Sequence, residues 1–168
     1  AKGQLPAGLV QDQHGRCVLR NPQLQTEQLI KVVFPILHGS GGEDGEIQGL
    51  LECFSVPYIG CGVSAAAVTW NKALFKNVLR AHGIPVVPGY VYRKPIRVLA
   101  EKIGLPVFVK PAATGSSIGI SCVQQESGLY SAMEDAFTYS SEVLVEQAIL
   151  GGSEIECAVL DLGNGRDP

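Results

Sequence analysis

The segment KPAATGSSIGI, residues 110–120, combines a lysine with small hydroxyl-bearing residues and two glycines. It separates the apolar runs LPVFV and ISCV, so the pattern predicts two strands joined by a flexible loop. Loop N–H groups and the hydroxyls of Ser116 and Ser117 are suited to binding phosphate oxygens, and Lys110 adds a positive charge beside them. A surface turn with solubilising serines explains the loop about equally well.

A second candidate site follows the apolar run VLV, where Glu146 and Gln147 interrupt a predicted strand. Backbone groups of an extended segment can pair with the edge of an adenine ring, and a carboxylate accepts a hydrogen bond from the exocyclic amine. Glu154, further along, is suited to accepting from ribose hydroxyls. Carboxylates at strand ends are more often simply solvated, and that interpretation stays open.

Two more residues are candidates because of their place in the predicted elements. His38 follows a predicted buried strand and precedes a glycine-rich turn, and ligands of open α/β sheets collect at such strand ends. Lys72 begins a predicted helix. A lone histidine is more often a packed or capping residue, and a first-turn lysine is more often solvated. Neither residue therefore identifies a site by itself.

Hydrophobic periodicity predicts the elements that position these residues. VVFPIL (32–37) predicts a strand buried on both faces, GEDGEIQGLLECF predicts a helix, and VPYIG begins another strand, which is the order of a parallel α/β unit. The preceding residues 1–31 read as loop with a short hairpin near QDQHGRCVL.

From residue 71 to residue 147 the pattern predicts a helix, a strand, the loop, a strand, a helix and a strand. NKALFKNVLRAHG is the first of these helices, and Gly83 is its expected left-handed cap. PIRVLAEKIG (95–104) predicts an additional short helix, and SEIECAVLDL (153–162) predicts a last strand.

Composition excludes several classes of protein. The 168 residues are 46% hydrophobic, enough for one good core or two small ones. Thirteen basic against sixteen acidic side chains leave no electrostatic footprint for nucleic acid or an anionic membrane, and no apolar run has membrane-spanning length. Five cysteines without a C-x-x-C pair, mostly in apolar segments, predict buried free thiols of a cytoplasmic protein.

Four segments in order carry a family resemblance: FPILHGSGGEDGEIQGLLE, PYIGCGVSAAAVTWNK, GLPVFVKPAATGSSIGIS and VLVEQAILGGSEIECAVL. Together they resemble the D-alanine:D-alanine ligases of the ATP-grasp superfamily, from residue 32 to residue 160. The resemblance implies a mixed α/β (α+β) fold. Residues 1–60 would end a preceding parallel-sheet α/β domain, 61–146 would form the central ATP-grasp domain, and 147–168 would begin the carboxyl-terminal part.

The resemblance implies roles near the reacting phosphate. The residues Lys72 and Lys110 would contact ATP phosphates, and Ser116 and Ser117 would belong to a loop that closes over the γ-phosphate. His38 would lie by the D-alanine sites, with Glu43 opening the helix beside it. Ser116 and His38 are thus the candidate catalytic residues.

At the other end of ATP, the resemblance implies that Glu146, Gln147 and Ile149 line the adenine pocket and that Glu154 holds the ribose. The substrates would be ATP and D-alanine, joined through an acyl phosphate for peptidoglycan synthesis. Magnesium would be required, with its ligands outside this chain. We therefore interpret the chain as an internal piece of a homodimeric enzyme and expect no ligase turnover from these residues alone.

Three alternatives remain at this point. The second substrate is D-lactate or D-serine in resistance-type members, and other ATP-grasp carboxylate–amine ligases share much of the pattern. A non-catalytic nucleotide-binding module is the alternative from another class. Tight binding of an ATP analogue by these residues alone would favour the module.

Overall fold

The computed structural model describes residues 7–96 and 103–160. The described residues form seven strands and four α-helices. In chain order they are β1 Gly8–Gln11, β2 Cys17–Asn21, β3 Thr26–Leu29, α1 Glu46–Cys53, α2 Val63–Trp70, α3 Lys72–Ala81, β4 Gly89–Tyr92, β5 Val107–Pro111, β6 Ser121–Val123, α4 Leu129–Phe137 and β7 Val143–Gln147. The helix predicted at 95–104 falls mostly outside the described residues.

The first sheet is an antiparallel meander in the order β1-β2-β3. Its β1–β2 pair is the hairpin predicted near residues 11–19, and β3 adds a third strand that the sequence did not reveal. Cys17 on β2 packs with Leu51 of α1 and with Val56 to form a small core. This sheet and α1 are therefore one packed unit.

The strand predicted at 32–37 is reduced to one parallel bridge, between Val33 and Tyr58. The expectation that it is buried on both faces is wrong, because Phe34 is 66% and Ile36 72% exposed. Pro35 has no N–H to donate to a sheet ladder, and a single bridge covers neither face. The predicted mixed α/β class is nevertheless correct, with both described sheets antiparallel.

The second sheet is antiparallel with the strand order β4-β7-β5-β6. Side chains alternate along its strands, so Val107 and Val109 of β5 face the same side as Val143 and Val145 of β7. That side packs against three buried residues of α4, Leu129, Met133 and Ala136. Fully burying such a side chain contributes about 1.5–3 kcal/mol, so this core anchors the sheet.

The opposite face of the same two central strands carries the charged residues. Lys110 of β5 and Glu146 of β7 occupy the positions that alternate with the buried valines. The predicted hairpin is confirmed, since β5 pairs with β6 in antiparallel register. The core on one face therefore sets where the charges on the other face point.

Helix α3 confirms the helix predicted from residue 71. Asn71 is its N-cap, and its Oδ1 accepts from the N–H groups of Ala73 and Leu74 at 3.0 Å each. Gly83, with a φ of 72°, takes the expected left-handed conformation after the helix. Helix α2 was not predicted, because its small and apolar residues show no amphipathic period. No helix in the described ranges has the length and apolar character needed to cross a membrane.

The last predicted strand does not form in its described part, residues 153–160. Ile155 is 89% and Leu160 73% exposed, and a strand needs a neighbour to receive its hydrogen bonds. Residues 161–162 of that prediction lie outside the described residues.

The expectation of mostly buried cysteines is also wrong. All five thiols are free, but only Cys17 is buried, and Cys53, Cys61, Cys122 and Cys157 are exposed. Cys122 illustrates the reason, since it lies on the edge strand β6 between residues that alternate toward the core.

Replacing Gly89 with alanine tests how closely β4 approaches β7. A Cβ at Gly89 would lie 2.7 Å from the carbonyl oxygen of Val145 and 2.7 Å from Cβ of Glu146, so the strands would have to separate. We expect Gly89→Ala to lower the free energy of unfolding of the intact protein by about 1–3 kcal/mol. Urea denaturation followed by circular dichroism measures the change.

Gly49→Ala is the matched control. Gly49 lies within α1, where a Cβ would enter open space, and alanine in a helix is favoured over glycine by about 0.5–1 kcal/mol. This control should stabilise the protein. A similar loss from both substitutions would show that the β4–β7 approach is not the cause.

Candidate functional site

Three of the predicted site residues line one cleft, although they come from separate parts of the chain. His38, Lys72 and Ser116 all border a cavity of about 430 Å³. The remaining walls are Glu43, Thr69, Trp70, Thr114 and Gly115. The structure thus brings the loop after β5, the start of α3 and the glycine-rich turn before α1 to one place.

The loop between β5 and β6 has an unusual backbone. Ser116 and Ser117 are consecutive residues with φ values of 50° and 57°, in the left-handed region that side chains other than glycine seldom adopt. The loop is braced by the hydrogen bond from Ile118 N–H to the Gly115 carbonyl at 3.1 Å. Gly115 rests on the ring of Trp70, which a Cβ would approach to 3.5 Å. Conformations of this kind cluster at ligand-binding loops.

Lys72 ties helix α3 to this loop. Its backbone N–H donates to the Ala112 carbonyl at 2.9 Å. Its Nζ donates to the carbonyl oxygens of Thr114 at 2.5 Å and Pro111 at 3.4 Å. Half-burial and then the positive charge of Lys110 lower the pKa of Lys72, while Glu146 partly opposes them. Lys72 and Lys110 therefore belong to the same charged region.

Glu146 is the charged centre of that region and is only 5% exposed. Lys110 Nζ donates to its Oε1, and Lys76 Nζ forms an ion pair with its Oε2 at 2.5 Å. Oε2 is buried and lacks a well-aligned hydrogen-bond donor. Burial by itself raises the pKa of Glu146, but the contacts with Lys110 and Lys76 outweigh it, so the pKa is lowered overall.

The ammonium of Lys110 also lies 5.1 Å from the centre of the Phe108 ring, two residues earlier on β5. Across the sheet Phe108 is directly opposite Glu146. A cation above an aromatic face is attracted by the ring quadrupole, by about 0.5–1 kcal/mol at a site open to solvent. The position of Lys110 is thus set by both the carboxylate and the ring.

The other predicted nucleotide residues lie at the last position of β7 or beyond it. Gln147 is held there, since its N–H donates to the Pro88 carbonyl at 3.0 Å. Ile149 is 67% exposed and Glu154 is exposed, and neither lines the cleft. The structure therefore groups Glu146 with the lysines, and Ile149 and Glu154 stand apart.

Glu43 does not open a helix, contrary to the expectation for it. Helix α1 begins at Glu46, after the left-handed Gly45 with a φ of 97°. Glu43 instead folds back within the turn, where its Oε2 accepts from the N–H of Gly39 at 2.7 Å. In the same turn the pKa of Asp44 is lowered, chiefly because its carboxylate accepts from the Gly41 N–H. The glycine-rich turn therefore holds Glu43 at the cleft without helical structure.

Sequence reasoning missed Trp70 and Lys76. Lys76 follows Lys72 by one helical turn, and this i, i+4 spacing on α3 was the available signal for it. Trp70 lay in a helix that the pattern did not reveal, so nothing in the sequence placed its ring under the loop.

A larger depression of about 580 Å³ lies between β6 and α4. It contains none of the predicted site residues. The smaller cleft is the better candidate site, because charged and polar groups from three distant segments converge there. Among residues 7–96 and 103–160, no three His, Cys, Asp or Glu side chains are grouped as a metal site would require.

Two family models match the chain. Residues 7–61 match the model described as D-ala D-ala ligase N-terminus, and residues 78–167 match the D-ala D-ala ligase C-terminus. The second match alone covers more than half of the chain. The chain belongs to the D-alanine–D-alanine ligase family.

Individual members of the ligase family agree with this assignment. A D-alanine–D-alanine ligase of Rhodococcus erythropolis is 50% identical over 140 residues, which are 81% of this chain and 38% of the relative. D-alanyl-alanine synthetase A of Vibrio cholerae has a solved structure that matches with a TM-score of 0.76 and 34% identity, over 85% of this chain and 44% of that one.

A solved D-Ala:D-Ser ligase from Enterococcus faecalis is also similar, with a TM-score of 0.74 and 29% identity over 88% of this chain and 43% of that one. These findings confirm the predicted family and its mixed α/β ATP-grasp fold. The chain spans about two fifths of the length of the curated ligases that it matches.

The lowered pKa of Glu146 predicts acid sensitivity. Its ionised form stabilises the fold in full above the ordinary pKa of 4.5, and this contribution is lost as the pH falls through the lower pKa of the folded state. At neutral pH we expect Glu146→Gln to cost about 3–5 kcal/mol of unfolding free energy, because Lys76 and Lys110 lose their counter-charge. The difference between wild type and variant should shrink in acid.

Urea denaturation at a series of pH values measures this difference. Glu134→Gln is the control, because Glu134 lies on the exposed side of α4 and its loss should change stability little at any pH. A Glu146→Gln variant as stable as wild type at neutral pH would contradict the assigned ion pairs.

Proposed function

We propose that the whole protein joins two D-alanines at the expense of ATP, through an acyl phosphate, to supply D-alanyl-D-alanine for peptidoglycan. One observation carries the proposal: His38, Lys72 and Ser116 converge on one cleft beside the Lys110–Glu146 pair. Membership of the ligase family supports it, since the matched relatives bear the name of that activity.

The two lysines are suited to the phosphates of ATP. Transfer of a phosphoryl group gathers negative charge on a few oxygens, and positioned cations stabilise that charge. In the proposal Lys72 and Lys110 are those cations. Lys72 Nζ now contacts the Thr114 carbonyl, so a phosphate would replace a neutral partner by a charged one.

The proposal places adenine at the end of β7. The buried Oε2 of Glu146 has no aligned hydrogen-bond donor, and in the proposal it accepts from the exocyclic amine of adenine. Gln147 and Ile149 follow in extended backbone suited to the ring edge, and Glu154 would accept from the ribose hydroxyls. Ile149 and Glu154 are exposed, so they are free to meet a nucleotide laid along this segment.

The serine loop and His38 are proposed to act on the amino acids. Ser116 and Ser117 form a strained, hydroxyl-bearing turn whose closure would keep water away from the acyl phosphate. His38 lines the same cleft as the loop, and a D-alanine is proposed to bind there. The amine of the second D-alanine would attack the activated carboxyl of the first there, releasing phosphate.

The remaining predictions complete the proposal. Magnesium would neutralise the triphosphate, with carboxylate and amide ligands from outside the described residues. Cytoplasmic location suits an enzyme that uses ATP and carries free thiols. We propose domain boundaries after residues 60 and 146, the second one residue before the end of β7. Assembly of the whole protein as a homodimer stays a prediction.

D-serine is the second candidate for the attacking substrate, because a D-Ala:D-Ser ligase has a similar structure.

A competition assay identifies the second substrate. The whole protein, given ATP and equal amounts of D-alanine, D-serine and D-lactate, should yield mainly D-alanyl-D-alanine by mass spectrometry. A mixed product carrying D-serine or D-lactate would reject the preferred substrate and leave the ATP chemistry standing.

Lys72→Met tests the phosphate role. We expect D-alanine to stimulate release of ADP and phosphate by the whole protein, and the variant to lower kcat/KM for ATP by about 100-fold or more, as when one charge-stabilising group is removed. Lys94→Met is the control, because Lys94 is exposed and outside the cleft.

Two outcomes would contradict the proposed function. A wild-type protein whose ATP consumption ignores D-alanine would reject the substrate. A Lys72→Met variant as active as the Lys94→Met control would reject the assignment of the cleft to the phosphates.

A further inference from the structure

Lys76 is a charged residue of α3 that the proposed reaction does not use. It follows Lys72 by one helical turn, and its side chain is only 15% exposed. Its Nζ contacts Glu146 Oε2 at 2.5 Å and donates to the Val87 carbonyl at 3.1 Å. A largely buried ammonium group needs hydrogen-bond acceptors or a counter-charge, and both of these partners lie at the proposed nucleotide end of the site.

We propose that Lys76 is a positioning residue for the nucleotide: it balances the charge of Glu146, so that Lys110 stays available to an ATP phosphate. This inference rests on the proposed roles of Glu146 and Lys110. Lys76 itself touches no substrate in this scheme and acts through the carboxylate.

Charge balance supports the inference. Glu146 carries one negative charge and is contacted by two ammonium groups, so these three side chains carry a net charge of about +1 near neutral pH. If Lys76 were absent, Lys110 alone would neutralise the buried carboxylate of Glu146. Moving Lys110 toward a phosphate would then leave that carboxylate without a counter-charge. With Lys76 in place, Lys110 can turn to an anion while Glu146 keeps a partner.

Lys76 also sets where Glu146 lies. Its bond to the Val87 carbonyl joins α3 to the segment just before β4, and the neighbouring Pro88 carbonyl accepts from Gln147 N–H at 3.0 Å. Gly89 then lies directly opposite Glu146, with no space for a side chain between the strands. Helix α3 and strands β4 and β7 are therefore joined around the carboxylate of Glu146.

The test separates nucleotide positioning from general stability. In the whole protein we expect Lys76→Met to raise KM for ATP by about tenfold or more, the usual effect of losing a hydrogen bond to a charged group, and to leave KM for D-alanine unchanged. Lys76→Arg keeps the charge and should recover most of the loss. Arg80→Met is the matched control, since Arg80 is an exposed cation one turn further along α3.

A double-mutant cycle shows whether Lys76 acts through Glu146. In a Glu146→Gln background, adding Lys76→Met should raise KM for ATP no further, because the carboxylate that Lys76 balances is gone. Lys76→Met alone leaves Glu146 paired with Lys110, so this single variant should fold and its KM for ATP can be compared with that of the double variant. A further rise in KM for ATP in that background would overturn the inference.

Other outcomes overturn it as well. They are an unchanged KM for ATP in Lys76→Met, an equal rise in KM for ATP and D-alanine, and failure of both the single and the double variant to fold. Affinity for a nonhydrolysable ATP analogue is measured on the same variants and needs no turnover. A wild type that binds the analogue but ignores D-alanine would reject the proposed function, while the analogue affinities would still decide the role of Lys76.

Discussion

One buried carboxylate, that of Glu146, constrains the arrangement of the whole charged region. It lies on a central strand whose opposite face is packed against α4, so it cannot turn away from the lysines. An ionised carboxylate that is 5% exposed needs compensating charge, and Lys76 and Lys110 supply it from a helix and from a neighbouring strand. The pKa of Glu146 is lowered because the two lysines compensate its charge more than burial opposes it.

The loop depends on the same arrangement. Lys72 begins the helix that carries Lys76, and its ammonium holds the carbonyl of Thr114. The placement of α3 by Glu146 thus also places the serine turn, with its two left-handed residues, over Trp70. Half-burial and then the positive charge of Lys110 lower the pKa of Lys72, so the packing that gathers these side chains also changes their charge behaviour.

Local patterns predicted much of the fold. The helix from residue 71, the β5–β6 hairpin and the strand ending in Glu146 and Gln147 were all readable, because apolar periodicity and glycine positions mark them directly. Helix α2 was missed since its small apolar residues have no period. The strands predicted at 32–37 and 153–162 failed in the described residues for another reason: an apolar run indicates that a segment can be buried, but a strand forms only where a partner strand lies beside it.

The sequence by itself determined the family, the mixed α/β class and the residue types suited to ATP, because spacing along a chain is a local property. The tertiary structure alone decided which of those residues meet. It brought His38, Lys72 and Ser116 to one cleft, joined Lys76 to Glu146, and left Ile149 and Glu154 exposed. Contacts between distant residues depend on the order of strands in a sheet and on the face from which each side chain projects. No single stretch of sequence determines either of these.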